Sequence, residues 1–179
     1  MNEYWVWFSR LCKIDVKTKN KLLEKYKTPE KIWNLSKKDL ERNTFLNQEK
    51  IEYILNQDYR MNLKKYIEYM EENQIHLITI KDKEYPYKLK EIYDSPIAIF
   101  TKGNKDLLKQ KSIAIIGSRS CSSYGKFISK NFAYGLAKNN IVVISGLARG
   151  IDTYAHSGTL KIKNSTIAVV RIWIRSSLS

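Results

Sequence analysis

Three short apolar runs constrain the fold of this chain more than any other feature: Ile113-Ala-Ile-Ile116, Ile141-Val-Val-Ile144 and Ile167-Ala-Val-Val170. They start 28 and 26 residues apart, which leaves room for one helix in each interval. The intervening residues predict helices from Tyr124 to Lys138 and from Ile151 to Leu160. Because the runs are continuous rather than alternating, they predict strands covered on both faces. That means a parallel sheet joined by right-handed crossovers. The fold class is α/β, and the βαβαβ order is one mononucleotide-binding half of a Rossmann-like sheet, incomplete at its C-terminal end.

The first seventy residues read as short helices instead. Thr28-Pro29-Glu30 marks a helix start, with a capping threonine, proline at the first helical position and an acid in the first turn. Ser36 and Asp39 have the spacing of a capping box. Leu63, Tyr66, Ile67 and Met70 recur at helical spacing and predict one helix from Tyr59 to Glu72. The chain therefore divides into a helical N-terminal domain, residues 1–73, and a Rossmann-like domain, residues 74–179. Two more strand candidates, Ile75 to Ile80 and Ile97 to Phe100, open the second part. Between them Pro86 and Pro96 exclude a central strand.

A net charge of +14 predicts an anionic partner. The charge is uneven. Residues 112–179 hold nine basic side chains, among them Arg119, Lys126, Lys130, Lys138 and Arg149, and a single acid, Asp152. A surface that binds a polyanion has this scarcity of acids. Two cysteines, Cys12 and Cys121, are too few for a disulfide framework or a metal cluster. The N-terminus lacks the pattern of a signal peptide and no stretch has the length to span a bilayer. The expectation is a soluble cytoplasmic protein without a membrane partner.

In parallel sheets ligands bind at the carboxyl ends of the strands. Two loops occupy those ends. The first is Gly117-Ser118-Arg119-Ser-Cys-Ser122-Ser123-Tyr124-Gly125-Lys126. Gly117 lets the chain turn off the strand, and Ser122 or Ser123 caps the next helix. The N–H groups of that helix start suit a phosphate, and Arg119 offers a forked contact to phosphate oxygens. Lys126 in the first turn opposes the helix dipole unless an anion lies nearby. The second loop, Ser145-Gly146-Leu-Ala-Arg149-Gly150, flanks the same cleft, with two glycines for tight turns and a second guanidinium.

Several chemistries are unsupported. No G-x-G-x-x-G follows the first strand, and no acid ends the second strand to read a ribose. No P-loop pattern is present. Asp152 fits the electrostatics of a helix start, and His156, four residues on, has no nucleophile beside it.

The strings IAIIGSRSCSSYGK, ISGLARGIDTYAHSGTL and TIAVV together resemble the DNA-processing protein A family (DprA, also called Smf). Tyr85-Pro86, Leu89, Ile92, Ser95-Pro96 and Lys102-Gly103 match its approach to the sheet. The N-terminal helices resemble its small, SAM-like helical domain more loosely. The resemblance implies sequence-nonspecific binding of single-stranded DNA in natural transformation, and loading of the RecA recombinase, without catalysis and without a cofactor. It also implies a homodimer. Carried over by position, Gly117, Ser118 and Arg119 hold backbone phosphate. Ser122, Ser123, Tyr124, Gly125 and Lys126 form the helix start behind it. Ser145, Gly146, Arg149 and Gly150 make the second wall.

Two departures accompany the resemblance. The helix-hairpin-helix glycines of some related N-terminal domains are replaced by Lys13-Ile-Asp-Val16, so DNA binding is not assigned there. The family continues from the third strand with a GxGLDxxYP-like segment, whereas this chain ends Arg171-Ile-Trp-Ile-Arg-Ser-Ser-Leu-Ser179. Suitable codons for that tail, read one base later, encode GFGLDHLYP. The expectation is a one-base shift just before Arg171 and a truncated product with impaired function, its dimer and RecA contacts in doubt. The alternative function is a nucleotide-binding or nucleotide-hydrolysing enzyme of the lysine-decarboxylase-like Rossmann type. Such enzymes carry an acidic residue in a later glycine-rich loop.

Overall fold

The computed structural model describes residues 3–163 and 165–170. The tail from Arg171 to Ser179, on which the expected frameshift and truncation fall, lies outside the described residues. The chain forms two compact units that meet in sequence at Gly103 and Asn104.

The first unit begins with α1 (Glu3–Arg10), α2 (Val16–Tyr26), α3 (Pro29–Trp33), α4 (Lys37–Glu41), α5 (Gln48–Leu55), α6 (Gln57–Met61) and α7 (Leu63–Glu72). Its core gathers Val6, Trp7, Phe8, Leu11, Leu22, Ile32, Leu40, Ile54 and Met70, all essentially inaccessible. Trp7 meets Trp33 edge-on at 5.0 Å. The Arg60 guanidinium lies 4.4 Å from the Trp33 ring centre and donates to the Trp33 carbonyl at 2.9 Å. Both expected helix starts are present: Thr28 caps α3, and Ser36 and Asp39 form a reciprocal capping box on α4. The single helix expected from Tyr59 to Glu72 is instead two. It breaks at Asn62, whose backbone N–H closes α6 on Asp58 and whose side-chain amide donates to the same carbonyl. Asparagine competes in this way with the helix it sits in.

The same unit ends in a two-stranded antiparallel sheet of β1 (Ile75–Thr79) and β2 (Ala98–Lys102), with Ile78 opposite Ile99. The short helix α8 (Tyr87–Lys90) lies in the connection, where the Tyr85 hydroxyl donates to the Pro96 carbonyl at 2.6 Å.

The second unit opens with a 3-10 turn, Lys105–Lys109, and then alternates: β3 (Ser112–Ala114), α9 (Ser123–Lys138), β4 (Val142–Ser145), α10 (Ile151–Thr159) and β5 (Thr166–Ala168). The strands form a parallel sheet in the order β3-β4-β5. Its core joins Val143 of β4 to Ala133 of α9 and Ala155 of α10, with Ile115 and Leu136 packed against them.

This core corrects one expectation. Both helices meet Val143, so both cover the same face of the sheet. Successive crossovers of one hand, running in one direction across the sheet, place their helices on one side. Val142, on the opposite face, is buried as well, whereas Ile116 and Val169, just past the ends of β3 and β5, are 77% and 61% exposed.

Candidate nucleic-acid interface

Both expected loops leave the same end of the sheet, one after β3 and one after β4. Ser145 ties these strand ends together: its hydroxyl donates to the Ile115 carbonyl at 2.7 Å and its side chain is buried.

The first loop is built around serine. The Ser118 hydroxyl donates to the Ser120 carbonyl at 2.7 Å and accepts the Ser120 N–H at 3.1 Å. Ser122, rather than Ser123, is the N-cap of α9, and its oxygen accepts the Gly125 N–H at 3.1 Å. A cap that engages Gly125 leaves other first-turn N–H groups without a helical partner, the source of the positive end of the dipole. Tyr124 and Arg119 are exposed. The Lys126 ammonium sits 5.7 Å from the Tyr154 ring centre, on the side of α10.

The second loop is held by Asp152. Its Oδ2 accepts the N–H of Gly146 at 3.1 Å and that of Ala148 at 3.4 Å. Asp152 is 5% exposed. Helix-start electrostatics alone understates this residue, because it fixes the loop backbone directly. The left-handed turn of the loop is made by Leu147 (φ 58°) and Gly150 (φ 84°), not by Gly146.

The two loops interlock at Gly150 and Ile151. The Ile151 N–H donates to the Ser118 carbonyl at 3.2 Å. A Cβ on Gly150 would stand 2.2 Å from that carbonyl oxygen, and one on Gly117 would stand 2.7 Å from the Ile151 side chain. The glycines of the two motifs thus allow one loop to lie on the other. Sequence reasoning placed these glycines at turns; their stronger requirement is this contact between loops.

The electrostatics follow from the same arrangement. Arg119 and Arg149 are exposed, and neither has an ion-pair partner among the described residues. Asp152, the only acid in residues 112–179, is buried and already accepts two N–H groups. Behind it, the Thr166 hydroxyl donates to the Val143 carbonyl at 2.9 Å, so it must accept from His156 Nδ1 at 2.8 Å. That leaves Nε2 as the bare nitrogen of the neutral ring. It is buried without a hydrogen-bond partner among the described residues. Burial pushes the His156 pKa below its ordinary value, against the opposing pull of Asp152 and the Ser145 carbonyl. His156 therefore belongs to the core rather than to a catalytic pair. No described helix is long and apolar enough to cross a membrane.

Known proteins share this organisation. The family model described as DNA recombination-mediator protein A matches residues 76–176, more than half of the chain. The DNA processing protein DprA of Streptococcus pneumoniae is 48% identical over 92 residues, which are 51% of this chain and 32% of that protein. Its Bacillus subtilis counterpart is 40% identical over 100 residues, 55% of this chain and 34% of that protein. The matched stretches thus span about a third of these curated relatives. The X-ray structure of DNA processing protein A from Streptococcus pneumoniae superposes with a TM-score of 0.61 at 28% identity, covering 98% of this chain and 61% of that one. The match across both loops and all three parallel strands places the chain in the DNA recombination-mediator protein A family.

Proposed function

We propose that this chain binds single-stranded DNA through its sugar–phosphate backbone, without regard to sequence and without catalysis. The observation that carries the reading is the interlock of the two loops. It brings two loops that each carry an exposed arginine, and the start of α9, to one end of the sheet, while Asp152, the one acid from residue 112 onward, is occupied inside. A phosphate chain finds forked donors there and meets no competing carboxylate. A hydrolytic reading would recruit Asp152, whose carboxylate is already spent on the Gly146 and Ala148 amides.

Family membership supports a place for this binding in DNA processing during natural transformation. In this reading the protein also helps load the RecA recombinase on the bound strand, and two copies act together as a homodimer.

The test is a salt titration of the full chain with oligonucleotides of unrelated sequence. Affinity should fall linearly on logarithmic axes through counterion release. Arg119→Ala and Arg149→Ala should each weaken binding to all sequences alike and make the salt slope shallower by about one. Binding that ignores salt, or that depends on sequence, overturns the reading.

A further inference from the structure

Helix α9 is amphipathic in an unusual sense. Its inner face is small, with Ser129, Ala133 and Ala137 buried one turn apart. Its outer face carries Tyr124, Phe127, Ile128, Phe132 and Tyr134, of which Tyr124 and Phe127 are 73% and 64% exposed. Helices of this kind ordinarily turn aromatic rings inward. Here the small inner residues make the contact with Val143 and Ala155, so the rings are left to the surface. A cluster of exposed aromatic rings on one helix face marks an interaction site.

We infer that Tyr124 and Phe127 are stacking platforms for unpaired bases, so that the phosphate-binding loops select single strands. The inference rests on the reading of the loops as a phosphate site. Three observations favour bases as the occupant. Tyr124 and Phe127 lie in the first turn and a half of the helix whose cap, Ser122, closes the first loop. A nucleotide whose phosphate rests on that loop has its base within reach of that turn. The helix bears Lys126, Lys130 and Lys138 and no acid, so the face complements a polyanion. Finally, the Lys126 ammonium is drawn over Tyr154 on α10 and leaves both rings uncovered.

Stacking on aromatic rings tolerates every base, because every base has a π-face. It therefore adds affinity without adding sequence preference. It also excludes a duplex, whose bases are already stacked and paired inside.

The experiment compares the full chain on an oligo(dT) strand and on an abasic deoxyribose-phosphate strand of equal length, by fluorescence anisotropy at one salt concentration. The wild-type chain should prefer oligo(dT). Phe127→Ala should weaken oligo(dT) binding about tenfold while leaving abasic binding unchanged, and Tyr124→Ala should weaken oligo(dT) binding more than abasic binding. Tyr124→Phe and Phe127→Tyr should keep the preference. Abasic binding doubles as a control for folding. Equal affinity for the two strands in the wild type overturns the inference and leaves the phosphate reading intact. Alanine variants that bind oligo(dT) as well as the wild type also overturn it. Loss of binding to both strands by the wild type overturns the phosphate reading itself.

Discussion

The Asp152 carboxylate accepts the backbone N–H of Gly146 at 3.1 Å, six residues earlier in the chain. A second bond from Ala148 makes one buried side chain the anchor of the loop that carries Arg149. Charge alone and position alone predict opposite results for its removal. If Asp152 were only a negative charge near a polyanion site, Asp152→Ala would strengthen DNA binding. As an anchor, its loss leaves two amides without a partner and frees the loop. Asp152→Ala should then weaken binding and destabilise the second unit by about 2–3 kcal/mol. Asp152→Asn, which keeps an acceptor, should cost less. The salt slope should stay at the wild-type value in both, because no phosphate contact is removed. Tighter binding by Asp152→Ala would refute the anchoring role.

Two glycine substitutions separate close approach from helix propensity. Gly150 holds φ 84° and has the Ser118 and Arg119 carbonyl oxygens 2.2 and 2.7 Å from where a Cβ would stand. Gly150→Ala combines backbone strain with a clash against main chain that cannot rotate away, and should cost about 2–4 kcal/mol. Gly135, in the middle of α9, has nothing within 4 Å of the same point. Gly135→Ala should raise stability by roughly 0.5–1 kcal/mol. Thermal melts of the two variants should move in opposite directions.

These contacts also show how far the sequence carries. The three apolar runs specify the parallel strands, since only a buried strand tolerates residues such as Val142 and Val143 side by side. The caps at Thr28 and Ser36 are legible because a cap is local chemistry among four residues. The sidedness of α9 is not. Its pattern offers an aromatic face and a small-residue face, and which one packs depends on how closely α10 approaches. Nor does the pattern reveal that Leu147 takes the left-handed conformation beside an available glycine. Asp152 looks like an ordinary first-turn acid, because its partners are backbone amides and leave no mark in the side-chain sequence.

His156 makes the second unit sensitive to acid. Burial favours its neutral form, so its folded pKa lies below the ordinary value of about 6.5. As pH falls through that value, the unfolded chain takes up a proton that the folded chain refuses. Stability therefore declines with falling pH until the folded pKa is passed, and it is flat above the window. His156→Gln removes this contribution. Urea midpoints at pH 5 and pH 8 should differ more for the wild type than for the variant, and equal differences would exclude the assignment.

Lys19 gives the helical unit a pH dependence of the same sign in a different window, a gain in stability at alkaline pH. The side chain is buried, and its ammonium donates to the Ser9 carbonyl at 3.0 Å. Burial lowers its pKa from 10.5 to about 8, despite the opposing influence of Cys12 and Asp15. Between these two values the unfolded chain holds a proton that the folded chain has released. The unfolded state then binds more protons, and stability rises with pH across the window. Below about pH 8 the ammonium is charged in both states and its desolvation cost is constant. Lys19→Met avoids that cost, and should leave the unit as stable as the wild type or more so at pH 7. It should also abolish the alkaline rise. The check is helical circular dichroism during denaturation at pH 7.5 and pH 10. A wild-type midpoint that does not exceed its pH 7.5 value at pH 10, relative to Lys19→Met, would place the ammonium in solvent.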